Sequence, residues 1–214
     1  MKRYSQVCPL ARALDVVGER WSLLVIRELM PGPRRYSDLL DGLPGIGTNV
    51  LADRLRNLQD HAIVTRHTLP PPAAVTVYEL TEAGRELGPS LAALRRWGAR
   101  YAPPSEPGYA KRPAWALMSA TASTSAPPPA GTCELRVGPE VFRLTSEGTG
   151  LSVRGGPAEA PGATITLKTE TLYKVAAGDL TVQDATGQAL IEGDPDIATG
   201  FLAALHRTLA SRPA

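Results

Sequence analysis

Apolar side chains recur at helical spacing through most of residues 9–101, with one interruption where they alternate as in strands. Leu10, Ala13, Leu14 and Val17 share one face of a predicted helix over 9–17, with Pro9 in its first turn and Gly18 at its end. Leu24, Val25 and Ile26 make a largely buried second helix, Trp21–Met30, which Pro31-Gly32-Pro33 stops. A short third helix, Tyr36–Leu43, ends at Pro44-Gly45-Ile46-Gly47. Thr48 is the predicted cap of a fourth helix running to about His61. Two segments rich in Val, Thr, Ile and Tyr, Ile63–Thr68 and Val75–Leu80, read as strands joined by Leu69-Pro-Pro-Pro-Ala73. Thr81 then caps a last helix, Glu82–Tyr101, kinked near Pro89, in which Leu87, Leu91, Leu94, Gly98 and Tyr101 recur at spacings of four and three.

Helix, helix, helix-turn-helix, two-stranded ribbon and long helix, in that order, predict a winged helix-turn-helix over residues 1–101. The stretch Ala102-Pro-Pro-Ser-Glu-Pro-Gly-Tyr-Ala-Lys-Arg-Pro113 cannot sustain a helix or a central strand, so 102–112 is expected to be a semi-rigid linker. Beyond it, Cys133, Leu135 and Val137, then Phe142 and Leu144, Leu151 and Val153, and Ile165 and Leu167 alternate with polar residues. They predict strands at 132–137, 140–146, 150–154 and 163–168 with one buried face. Helices are expected at 113–122 (carrying Trp115, Leu117 and Met118), at 169–177, and at 195–209 with Asp194 as cap; 188–192 is a candidate closing strand. The fold class is therefore α+β, the second domain (113–214) being built on one mainly antiparallel sheet.

Composition agrees with two soluble domains: 214 residues, 43% hydrophobic and 21% charged. The net charge of +2 hides an asymmetry, because residues 1–101 carry 14 Lys+Arg against 10 Asp+Glu and residues 102–214 carry 9 against 11. A basic first half fits a polyanionic partner for that half only. No apolar run approaches the ~20 residues of a membrane span, and no apolar core follows the basic start, so a cytoplasmic protein without membrane association is expected. Cys8 and Cys133 fit no metal or disulfide framework. The chain has no nucleophile elbow, phosphate loop, dinucleotide fingerprint or metal-spaced histidine pair, and His61, His67 and His206 are far apart. Neither an enzyme nor a metal or cofactor site is expected.

The fourth helix carries the candidate chemistry. At 100° per residue, Leu51, Leu55 and Leu58 point to the core, and Asn49, Asp53 and Arg56 point away, with Ala52, Arg54 and Asn57 on the flanks. Asn and Arg side chains reach adenine and guanine edges in a major groove, and the amides near Thr48 and Asn49 can meet a phosphate. Asp53 is expected to pair with an arginine or to read a cytosine amine. Arg34-Arg35-Tyr36-Ser37 opens the helix that should cross the DNA backbone, and Arg66 and His67 sit on the outer part of the first wing strand. Leu87, Leu91, Leu94, Trp97 and Tyr101 form the expected dimerisation stripe, giving two recognition helices and a pseudo-palindromic double-stranded operator.

Several blocks resemble HxlR-type bacterial regulators. They are Cys8-Pro-Leu-Ala-Arg-Ala-Leu-Asp-Val-Val-Gly-Glu-Arg-Trp-Ser-Leu-Leu-Val-Ile-Arg-Glu-Leu29, Gly32-Pro-Arg-Arg-Tyr-Ser-Asp-Leu39, Pro44-Gly-Ile-Gly-Thr-Asn-Val-Leu-Ala-Asp-Arg-Leu-Arg-Asn-Leu58 and Tyr78-Glu-Leu-Thr-Glu-Ala-Gly84. The resemblance implies a dimeric winged-helix regulator with recognition residues at Thr48, Asn49, Arg54 and Arg56. It also implies that Cys8 can act as a sensor of oxidants or electrophiles; the alternative is a small hydrophobe packed at the dimer interface. Thr169-Glu-Thr-Leu-Tyr-Lys-Val-Ala-Ala-Gly178 with Leu190-Ile-Glu-Gly-Asp-Pro195 resembles the sterol-carrier-protein fold, which implies a hydrophobic small-molecule effector in a cavity walled by Trp115, Phe142, Leu144, Leu172 and Phe201.

The expected function is a sequence-specific transcriptional regulator, a repressor sooner than an activator, in which an effector in the second domain or modification of Cys8 favours one spacing of the recognition helices. The other reading is a carrier of lipids or small molecules whose winged domain serves dimerisation.

Overall fold

The computed structural model describes residues 4–103, 109–117, 128–147 and 150–209, and the chain divides into two compact units, Met1–Leu87 and Gly88–Ala214. The first holds α1 (Pro9–Val17), α2 (Ser22–Leu29), α3 (Tyr36–Gly42), α4 (Thr48–Asp60), β1 (Val64–Thr68), β2 (Thr76–Leu80) and α5 (Glu82–Arg85). Val25, Ile26 and Leu29 of α2, Leu39 of α3, Leu51, Leu55 and Leu58 of α4, and Val64, Val77 and Leu80 of the ribbon are all buried and form its core.

Two helix starts differ from the sequence reading. Trp21 takes a left-handed conformation (φ 80°), so α2 begins one residue later than its apolar pattern suggests. Such a backbone costs about 1–3 kcal/mol in a non-glycine residue and turns the chain sharply between α1 and α2. Thr48 does not cap α4. Gly47 is the N-cap, its carbonyl accepting from the Leu51 amide at 3.0 Å, and Thr48 is already inside the first turn. Thr81 does cap α5, its hydroxyl accepting from the Gly84 amide at 3.1 Å. Gly84 has no room for a side chain, since a Cβ there would clash with the Ile63 carbonyl oxygen; α5 can sit against the base of the wing only with glycine at that position.

The expected single helix over 82–101 is two helices, α5 and α6 (Gly88–Tyr101), separated at Glu86–Leu87. Pro89 is the reason: it has no N–H to donate to the Arg85 carbonyl, so the hydrogen-bond ladder cannot run through it, but it is tolerated in the first turn of a new helix. The second unit contains α6, α7 (Pro113–Leu117), β3 (Thr132–Val137), β4 (Glu140–Glu147), β5 (Gly150–Gly155), β6 (Ala163–Leu167), α8 (Thr169–Ala177), α9 (Val182–Gly187), β7 (Leu190–Gly193) and α10 (Pro195–Leu209). The expected continuation of α7 over 118–122 lies outside the described residues. The short helix α9 has no apolar periodicity to announce it; the Thr181 hydroxyl starts it by accepting from the Asp184 amide.

The five strands form one sheet in the order β5-β4-β3-β6-β7. It is mixed: β3 and β6 pair in parallel, and the other three pairs are antiparallel. Cys133, Leu135, Phe142, Leu144, Val153 and Ile165 project to one side, where they join Leu117, Leu172, Phe201, Leu202 and Leu205 of the helices in a single core. One register row of the opposite face runs Arg154, Arg143, Glu134, Thr164 and Glu192 across all five strands.

Candidate nucleic-acid interface

Asn49, Asp53 and Arg56 lie on the solvent side of α4, with Leu51, Leu55 and Leu58 buried beneath them. Asp53 and Arg56 are 59% and 70% exposed and form an ion pair at 3.0 Å. An exposed pair one turn apart is worth little in water, so Arg56 can leave Asp53 for a base or phosphate at small cost. Because Gly47 offers no capping side chain, the first-turn amides at Thr48 and Asn49 keep free donors at the positive end of the helix.

The start of α3 is tied to the start of α4 by the Tyr36 hydroxyl, which donates to the Thr48 carbonyl at 2.7 Å. That bond holds the two helices of the motif in register. The Arg35 amide donates to the Asp38 carboxylate at 3.1 Å, which leaves the side chains of Arg35 and Ser37 exposed at the helix start. Arg34 exchanges backbone hydrogen bonds with Tyr78 of β2, at 2.9 and 2.8 Å, and so adds a one-residue third strand to the wing. A single bridge has no sequence periodicity, which is why the pattern of apolar positions could not reveal it.

On β1, Arg66 stands opposite Tyr78 and His67 opposite Val77. Neighbouring residues of a strand face opposite ways, so the two cannot address the same groove from one face. Arg66 is exposed. His67 turns to Glu79, with Nε2 at 3.7 Å from one carboxylate oxygen, the other accepting from Arg85 at 2.8 Å. His67, expected among the DNA-contacting residues, thus stands beside Glu79 with its side chain 39% exposed.

Residues 16–106 match the HxlR-like helix-turn-helix family. An uncharacterized helix-turn-helix transcriptional regulator of Synechocystis is 42% identical over 92 residues, which cover 43% of this chain and 68% of that protein. The chain belongs to the HxlR-like helix-turn-helix family. The regulator YodB of Bacillus subtilis is 33% identical over 101 residues, covering 47% of this HxlR-type chain and 90% of its relative. The solved structure of YodB in its reduced form, 32% identical, covers 47% of this chain and 100% of that one with a TM-score of 0.41. Family membership makes this chain a transcriptional regulator with a DNA-binding helix-turn-helix. The family match ends at residue 106, and among the described residues no helix is long and apolar enough to cross a membrane.

Arg54, a recognition residue by the HxlR resemblance, is engaged within its own domain in this structure. Its side chain is 20% exposed and turns towards the corner between α1 and α2, where Nη1 lies 3.1 Å from a Glu19 carboxylate oxygen. The residue sits on the flank of α4 next to the buried Leu55, so its guanidinium reaches back over the domain instead of out to a groove. Arg54→Ala is expected to lower the stability of the first unit by about 1–2 kcal/mol and to weaken operator and random DNA by the same factor. Competition binding measures the ratio, and a selective loss of operator binding would make Arg54 a base-reading residue.

Cys8 is exposed at the N-cap of α1, and Cys133 is buried in β3. Burial, helped by the charge of neighbouring Glu134, pushes the Cys133 thiol up to about 12. Thiolates, not thiols, react with alkylating agents. Maleimide treatment of the folded protein at neutral pH is expected to label Cys8 alone, and Cys133 only after denaturation, as peptide mass spectrometry would show.

The expected dimerisation stripe splits on α6. Leu91 is buried with Ala92, whereas Leu94, Trp97 and Tyr101 are exposed, the last two rings 5.9 Å apart; Leu87 precedes the helix and is half-buried. On α1, Leu10 and Leu14 are exposed as well, with Val7 just before it. Of the expected pocket walls, Phe142, Leu144, Leu172 and Phe201 are packed against one another in the core, each no more than 1% exposed, and Trp115 is half-buried on α7. Alternation along a strand marks a buried face without distinguishing a packed core from a lined cavity.

Proposed function

We propose that this regulator reads a pseudo-palindromic duplex operator as a homodimer and represses transcription when bound. One observation carries the reading: Asn49 and Arg56 are held outward on α4 by a fully buried Leu51–Leu55–Leu58 underside, next to the uncapped first turn of the helix. Arg35, Ser37 and Arg66 on the flanking elements supply phosphate contacts. The exposed apolar residues of α1 and α6 support dimerisation, because Leu94, Trp97 and Tyr101 would lose unfavourable contact with water in an isologous interface. Effector sensing is assigned to the second unit, supported by the sterol-carrier resemblance of residues 169–195 and by the buried apolar side chains of Phe142, Leu144, Leu172 and Phe201 between its sheet and helices.

The test is a salt titration of binding to the upstream DNA of the protein's own gene. A dimer making about 6–10 phosphate contacts loses roughly 10³–10⁵ in affinity between 50 and 200 mM salt, and sedimentation should show a two-chain species on the DNA. Binding that ignores salt, or a single chain on the duplex, overturns the proposal.

A further inference from the structure

On the sheet face turned away from the helices, Arg143 of β4 stands directly opposite Arg154 of β5, and Thr145 stands directly opposite Ser152 one same-face step along. Side chains so placed lie about 5 Å apart across the pair and about 7 Å apart along a strand. The four therefore form one block of two guanidinium forks and two hydroxyls, in which Arg143 is exposed, Arg154 and Thr145 are half-buried and Ser152 is buried. Among the described residues neither arginine has an acidic partner, and neither hydroxyl has a hydrogen-bond partner. The carboxylate level with them, Glu134 of β3, is already committed. It accepts from Arg136 at 2.7 Å and from the Ala158 amide at 2.9 Å. Those bonds, the Ala158 amide foremost, hold its carboxyl below the usual range against the opposing effect of burial. Arg136 in turn lies between Glu134 and Glu192. The network on β3 and β7, two carboxylates to one guanidinium, engages neither Arg143 nor Arg154.

Like charges directly opposite destabilise a strand pair, and a bridging anion converts that repulsion into two charge-assisted, fork-shaped contacts. We propose that the Arg143–Arg154 rung, with Thr145 and Ser152 beside it, binds the phosphate group of a small phosphorylated molecule. A free molecule suits the site better than duplex DNA does, because residues 102–214 carry more Asp+Glu than Lys+Arg and would repel a polyanion at long range. The site lies on the face of the sheet opposite the helix-packed core and is independent of the hydrophobic effector considered above.

The experiment is calorimetric titration of the full chain with inorganic phosphate and with phenyl phosphate at matched ionic strength, for wild type and for Arg143→Gln/Arg154→Gln. Wild type should bind saturably and the double variant at least about tenfold more weakly, while the ligand-free variant melts at or above the wild-type temperature because the repulsion is gone. The charge-conserving Arg143→Lys variant should stay folded and still bind more weakly, since lysine lacks the fork. No saturable binding of either probe, or undiminished binding by the double variant, overturns the proposal. So does a double variant that loses duplex DNA affinity in step with phosphate affinity, which would make the ligand the DNA backbone.

Discussion

Asn49→Ala together with Arg56→Ala is expected to reduce the preference for operator over random duplex by roughly 10²–10⁴-fold, while binding to random DNA falls far less. Each good side-chain-to-base pair contributes about 1–3 kcal/mol of discrimination, and a total loss of about 3–6 kcal/mol shared over the two recognition helices gives the range. The fold should survive, because both side chains are exposed and the Leu51, Leu55 and Leu58 underside is untouched. Removing Arg56 also frees Asp53, its partner at 3.0 Å, and an unpaired carboxylate beside phosphates adds repulsion to the lost contact. Competitive titration against both duplexes, with circular dichroism to confirm folding, gives the ratio. A double variant that still discriminates as well as wild type removes the outer face of α4 from sequence reading.

The largest expected effect on stability is Phe201→Ala. Phe201 is fully buried on α10 among Leu135, Phe142 and Leu205, and truncating such a ring costs about 3–5 kcal/mol in lost transfer and in cavity formation. For a unit of this size that shifts melting by roughly 12–30 °C. Calorimetry should show the transition of the second unit moving while the first unit, whose core shares none of these side chains, keeps its own. A small shift with wild-type cooperativity would mean that the space around Phe201 collapses readily or is already open.

Much of the chain was legible because its local signals agree with its tertiary structure. The 9–17, 169–177 and 195–209 helices begin and end where proline, glycine and the Asp194 cap placed them, Asp194 accepting from the amides of Asp196 and Ile197. The HxlR blocks around α1–α4 were readable for the same reason, since a helix-turn-helix is specified by the spacing of leucines and turn residues over a short stretch. Misreadings fell where two adjacent signals competed. The Leu87–Tyr101 stripe promised one long helix, but a missing N–H at Pro89 outweighed it. Thr48 has the right chemistry for a cap and lost that place to Gly47, whose extended backbone lets the helix start one residue earlier.

Sequence alone determined which side chains are apolar at which spacing, and therefore the helices, the ribbon, the alternating strands and the outward position of Asn49, Asp53 and Arg56, because all of these are consequences of period. Tertiary structure alone decided what each polar group finds when it gets there. It gave the Tyr36 hydroxyl to the Thr48 carbonyl, Arg54 to Glu19, His67 to Glu79 and Glu134 to Arg136, and it set Arg143 opposite Arg154. Those partners lie up to 35 residues apart or across a strand register that no periodicity encodes. A hydrogen bond or ion pair depends on distances of a few ångströms, and only the packing of whole elements fixes distances on that scale.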